Sequence, residues 1–146
     1  MPDLDFSQIE RITLVACGTA HYACQLANTW IKESADLPVE IEIASEYRYA
    51  KRITVHGELF VAVSQSGETA DTLAAIKTVR GRVAYRLAIV NVATSSIARE
   101  AKQIIDITAG PEIGVASAKA FTVQPLALFA LPLRAGDERS YLQTRR

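Results

Sequence analysis

Leu59-Phe60-Val61-Ala62-Val63, followed by Ser64-Gln65-Ser66-Gly67-Glu68-Thr69, decides the fold. The first five residues are an unbroken apolar run of strand length. They lack the polar alternation of a half-exposed strand, so they read as a central strand buried on both faces of a parallel sheet. The run stops in a cluster of small and hydroxyl-bearing residues around Gly67. A helical pattern carrying Leu73 and Ile76 then runs from about Thr69 to Val79. Strand, glycine turn and helix in that order form half of a βαβ unit.

The same rhythm extends in both directions. Upstream, Ile12–Ala16 reads as a strand, and about Ala20–Ser34 as a helix with Tyr22, Leu26, Trp30 and Ile31 at helical spacing. Val39-Glu40-Ile41-Glu42-Ile43 alternates strictly, as an edge strand with one exposed face does. A short helix is expected from Ser45, a plausible N-cap before Glu46. Downstream, Leu87–Val90 and Ile104–Ile107 read as strands, separated by a short helix over about Ser96–Lys102. A long helix is expected from Ser117 to about Leu131, stopped near Pro132. These patterns predict an α/β fold, a five-stranded parallel sheet in a three-layer sandwich with helices on both faces. Residues 1–136 form the expected single domain, and 137–146 a loose polar tail.

Composition narrows the function. The chain has 146 residues, with 16 Lys and Arg against 16 Asp and Glu. That balance gives no broad field for nucleic acid or an anionic membrane, so an anion must be held locally by a shaped site. The cysteines Cys17 and Cys24 match neither a CxxC pair nor a zinc knuckle, and His21 and His56 have no partner at ligand spacing. No metal and no cofactor is expected. The start, Met1-Pro2-Asp3-Leu4-Asp5, has no apolar signal segment, and no apolar run approaches a membrane span. The expected compartment is the cytoplasm.

In open parallel sheets, ligands bind beyond the carboxyl ends of the strands. The loop Ser64–Thr69 has that position. Gly67 frees the backbone, the helix start offers unpaired N–H groups and a partial positive charge, and Ser64, Ser66 and Thr69 add hydroxyls. Together they make a phosphate cradle that needs no lysine. A merely capped helix would need one Ser or Thr. Cys17-Gly18-Thr19-Ala20, after the first strand, is not a dinucleotide fingerprint, but it lies where Thr19 can reach the same anion. Ser117 is a natural N-cap for the last helix. Glu68 and Glu112 have the chemistry of a general base, but their positions at helix starts favour dipole or capping roles.

Four runs carry a resemblance. They are Ala16-Cys17-Gly18-Thr19, Glu42-Ile43-Ala44-Ser45-Glu46-Tyr47-Arg48-Tyr49, Ser64-Gln65-Ser66-Gly67-Glu68-Thr69-Ala70-Asp71-Thr72 and Glu112-Ile113-Gly114-Val115-Ala116-Ser117-Ala118-Lys119-Ala120-Phe121-Thr122. In order and separation they resemble the sugar isomerase (SIS) family, and within it the isomerase half of the glutamine–fructose-6-phosphate aminotransferases (glucosamine-6-phosphate synthases). The likeness extends over about residues 9–133. It implies an SIS-type sandwich in which Ser64, Gln65, Ser66, Gly67 and Thr69 hold the phosphate of fructose 6-phosphate or glucosamine 6-phosphate. Cys17, Gly18 and Thr19 would line the same pocket, and Val115 and Ser117 would approach the sugar. Ala20 stands where many members have serine, and Ala118 where threonine is common.

The family's reaction moves ammonia from glutamine onto fructose 6-phosphate and isomerises the product. The glutaminase domain, second SIS domain and C-terminal tail that complete the machinery have no counterpart here, so this chain is expected to bind without full turnover. Two other readings are a stand-alone module sensing sugar phosphates, and an aldose–ketose isomerase completed by dimerisation. All three predict a homodimer, because a lone SIS domain would leave an apolar face bare.

Overall fold

In the computed structural model, which describes residues 3–110 and 118–138, five strands alternate with five helices. The strands are β1 (Arg11–Ala16), β2 (Val39–Ile43), β3 (Glu58–Ser64), β4 (Tyr85–Val90) and β5 (Gln103–Asp106). The helices are α1 (Thr19–Ala35), α2 (Ala44–Tyr47), α3 (Ala70–Thr78), α4 (Ser96–Glu100) and α5 (Ala118–Glu138). All pairings are parallel and the strand order is β2-β1-β3-β4-β5. The α/β sandwich read from the sequence is therefore correct. So are the central place of β3, buried along its whole length, and the edge place of β2.

The period-2 alternation of strand side chains builds two cores. Leu59, Val61 and Val63 of β3 point to one face with Ile12, Leu14 and Ala16 of β1, where Ala23, Ala27 and Ile31 of α1 and Leu128 and Leu131 of α5 cover them. Phe60 and Ala62 point to the other face with Val15, Ala88 and Val90, against Ala75 and Ile76 of α3 and Ile97 of α4. The helices α1 and α5 thus lie on one side of the sheet, and α2, α3 and α4 on the other.

Beyond shifts of one or two residues at the ends of other elements, α1, α4 and β5 among them, two departures from expectation have a physical cause. The helix α2 begins at Ala44, with Ile43 as its N-cap and no side-chain cap, so Ser45 does not cap it. The strand β2 turns directly into the helix, which buries Ala44 and Tyr47 and sets the Tyr47 ring 5.4 Å from Phe60. The second difference is larger. α5 does not stop near Pro132; it continues to Glu138 through both Pro125 and Pro132. A proline inside a helix costs about 3 kcal/mol, and tertiary packing outweighs that cost here. Leu128, Leu131 and Ala135 are fully buried. Past the second proline, Arg134 pairs with Glu138 at 2.6 Å and donates to the Leu4 carbonyl, while the Phe6 amide donates to Glu138 at 3.0 Å. The helix therefore runs two residues past the boundary expected after 136, and residues 139–146 lie outside those described. Among the described residues, no helix is long and apolar enough to cross a membrane.

Candidate functional site

The chain leaves β1 toward β2 on one side and returns to β3 on the other, so the topological switch lies between the carboxyl ends of β1 and β3. A cavity of about 400 Å³ opens there. Cys17, Gly18, Thr19 and Ala20 line it from the β1–α1 turn, Val63, Ser64, Gln65, Ser66 and Thr69 from the β3–α3 turn, and Gln124 from α5. Seven of the residues singled out by sequence, Cys17, Gly18, Thr19, Ser64, Gln65, Ser66 and Thr69, converge on this one space. Val115 and Ser117 lie outside the described residues, as does Glu112. Val63 and Gln124 were not foreseen. Val63 looks like any strand residue, and Gln124 arrives from a helix 60 residues along the chain from Ser64.

The two glycines shape the turns for different reasons. Gly18, the N-cap of α1, has φ 58° and ψ −135°, a region open essentially to glycine, but nothing crowds the place of a Cβ. Gly67 has φ 67°, and a Cβ there would lie 2.0 Å from Ser95 Oγ and 2.4 Å from Ser95 Cβ. Gly67 does not line the cavity. It holds the loop that does: its amide donates to Ser64 Oγ at 3.1 Å, and its carbonyl accepts from the Ile97 amide at 3.0 Å.

The start of α3 is organised for something other than capping. Thr69 occupies the N-cap position, yet no side chain caps the helix. The Thr69 hydroxyl lies 2.9 Å from Ser64 Oγ instead. Ser66 Oγ accepts from the Glu68 amide at 3.1 Å. Among the described residues, no side-chain acceptor takes the first N–H groups of α3, and the turn that leads into them carries the hydroxyls of Ser64, Ser66 and Thr69. Unpaired N–H groups and the positive end of the helix dipole are what an anion needs. Among the described residues the lining contains no Lys, Arg, Asp or Glu, so the donors seen there are neutral.

Glu68 has a different task. Its carboxylate accepts from the Ser96 amide at 2.7 Å, at the first turn of α4. The hydrogen bonding from Ser96 holds its pKa below the usual carboxylate value. Glu68 is absent from the cavity lining, so the capping role is realised, on a neighbouring helix rather than its own. His21 is also absent from the lining, and among the described residues no cluster of His, Cys, Asp and Glu could hold a metal ion. Burial pushes the Cys24 thiol up to about 12, whereas Cys17 is half-buried at the cavity wall.

Known proteins share much of this sequence and its fold. The chain is 55% identical over 130 residues to glutamine–fructose-6-phosphate aminotransferase (isomerizing) of Zymomonas mobilis, spanning 89% of this chain and 21% of that protein. It is 48% identical over 138 residues to the enzyme of the same name from Bradyrhizobium diazoefficiens, spanning 94% and 23%. Its structure matches the C-terminal domain of glucosamine-fructose-6-phosphate aminotransferase from Francisella tularensis with a TM-score of 0.89 and 43% identity, over 92% of this chain and 38% of that one. The chain spans about a fifth of the length of these curated relatives. The model of the SIS domain matches residues 5–134, from the segment before β1 to the last turns of α5. A parallel sheet whose switch-point loops are built in this way, matched over nearly all of its length, makes this chain a member of the SIS domain family.

Proposed function

We propose that this chain binds a phosphosugar at the β1/β3 switch point, as the SIS unit of a glutamine–fructose-6-phosphate aminotransferase does. The observation that carries the reading is the uncapped start of α3, where Thr69 pairs with Ser64 rather than with the helix backbone. A phosphate seated there takes the open N–H groups, the hydroxyls of Ser64, Ser66 and Thr69, and the Gln65 amide. Cys17, Gly18 and Thr19 close the opposite wall. Fructose 6-phosphate and glucosamine 6-phosphate are the expected ligands, consistent with the names of the relatives. Cys17 is the sole titratable side chain in the lining among the described residues, so this unit supplies binding rather than proton transfer. Transfer of ammonia and isomerisation belong to an assembly that carries this unit with others. The expected compartment is the cytoplasm.

The same reading includes a homodimer. Tyr22 and Leu26 on α1, and Leu126, Phe129 and Leu133 on α5, are exposed. Their spacing gives one stripe per helix, and Trp30 meets Phe129 edge-on at 5.1 Å to join the two stripes. Self-pairing across a two-fold axis covers such a face most simply. Sedimentation showing only monomer at high concentration would remove the dimer from the proposal.

Calorimetric titration with fructose 6-phosphate, glucosamine 6-phosphate, fructose and inorganic phosphate tests the site. Saturable binding of the phosphosugars, absent for fructose and lost in the folded Ser64→Ala/Thr69→Ala variant, is the expected result. A folded protein that binds none of the four would refute the cradle.

A further inference from the structure

Gln124 is an outlier in the cavity. Its side chain is 1% exposed, it comes from α5, and its Oε1 is buried without a hydrogen-bond partner. Native structures rarely leave a buried carboxamide oxygen unpaired, because desolvating it without compensation is unfavourable. The neighbouring buried positions of α5 are Leu128, Leu131 and Ala135, so an apolar residue would pack at this depth without the penalty. Two further facts fix what the amide can serve. The phosphate cradle rests on α3, which packs on the opposite face of the sheet from α5. The cavity passes over the ends of β1 and β3 from one helix to the other. A group bound at α3 cannot fill both ends unless it extends across the sheet edge.

We propose that Gln124 is a specificity-determining residue of this site, hydrogen-bonding a hydroxyl or amino group on the sugar of a phosphosugar whose phosphate lies at α3. The inference rests on the phosphosugar reading above and adds to it a polar contact on the far wall. A carboxamide both accepts and donates, so it suits the hydroxyls of a ketose and the amino group of an amino sugar alike. It makes no demand on the phosphate. The residue therefore separates a sugar phosphate from bare phosphate, which the cradle alone does not.

The test is calorimetry on Gln124→Met, which keeps the side-chain length and loses the amide, with Gln124→Leu as the second variant and thermal melting alongside. The expected result is about tenfold weaker binding of fructose 6-phosphate and glucosamine 6-phosphate, from the loss of one hydrogen bond in a desolvated site. Affinity for inorganic phosphate should stay at the parent value, and the melting temperature of the free protein should not fall. Equal affinity of parent and variants for the sugar phosphates would overturn the inference while leaving the cradle standing. Equal weakening for sugar phosphate and phosphate would overturn it too, since the residue would then only support the fold. If the parent binds neither, the phosphosugar reading fails, and this inference with it.

Discussion

Replacing Gly67 with alanine should damage the domain through three separable effects. The φ of 67° imposes a left-handed conformation that costs an L-residue about 1–2 kcal/mol. The new methyl would sit 2.0 Å from Ser95 Oγ and 2.4 Å from Ser95 Cβ. Ser95 is buried, so its movement repacks the contact between the loop and α4, at about 1–3 kcal/mol for forced overpacking. Ser95 is also the N-cap of α4, accepting from the Ala98 amide at 3.4 Å, and losing that role adds about 1 kcal/mol. The total is roughly 3–6 kcal/mol, which in a domain of this size lowers the melting temperature by about 10–20 °C. Circular dichroism melts of parent, Gly67→Ala, Ser95→Gly and the double variant measure it. In the double variant both clashing atoms of Ser95 are gone, and glycine at an N-cap costs only a few tenths of a kcal/mol. The pair should therefore be strongly non-additive, with the double variant regaining the overpacking part and keeping the backbone part. A Gly67→Ala protein melting within about 2 °C of the parent would refute the argument, as would a double variant no more stable than the single one.

Three further outcomes follow from other contacts. The Glu68 pKa is lowered by its bonds to Ser96, so its stabilising effect is fully present above the ordinary carboxylate range and is lost as pH falls through the lowered folded value; Glu68→Gln should flatten the acid limb of stability against pH. Glu58 is 1% exposed and accepts from Arg11 at 2.7 Å and Thr13 at 2.8 Å, so Glu58→Ala should cost about 3 kcal/mol in urea unfolding, the penalty for breaking a buried pair. Burial pushes the Cys24 thiol up to about 12, so native-state alkylation read by mass spectrometry should modify Cys17 first, and bound phosphosugar should slow it because Cys17 lines the cavity.

Much of the architecture was legible because it depends on local pattern. The unbroken apolar run of β3 and the alternation of β2 each report how many faces of a strand are covered, and that gave the centre and the edge. The two turns were legible because glycine and hydroxyl residues cluster at strand ends for few reasons. The rest depended on contacts distant in sequence. The extension of α5 past Pro132 relies on bonds from Arg134 to Leu4 and from Phe6 to Glu138, spanning 130 and 132 residues. No rule for the local effect of proline contains them. The role of Glu68 is completed by an amide 28 residues away. Gln124 carries no local mark, since a glutamine on a helix is ordinarily exposed.

The bonds that close α5 onto the segment before β1 also determine how this unit attaches to anything else. The Leu4 carbonyl and the Phe6 amide meet Arg134 and Glu138, so the first and last described segments come together at a single corner. That corner lies at the amino ends of the strands, whereas the cavity lies at their carboxyl ends, about 20 Å away across a six-residue strand. The contacts that tie the first described segment to the end of α5 are thus remote from the ligand mouth. With Leu4 and Phe6 bonded to Arg134 and Glu138, the unit should tolerate insertion into a longer polypeptide much as a loop does, and a circular permutant opened at the exposed turn around Gly81 should keep its sheet order and its cavity.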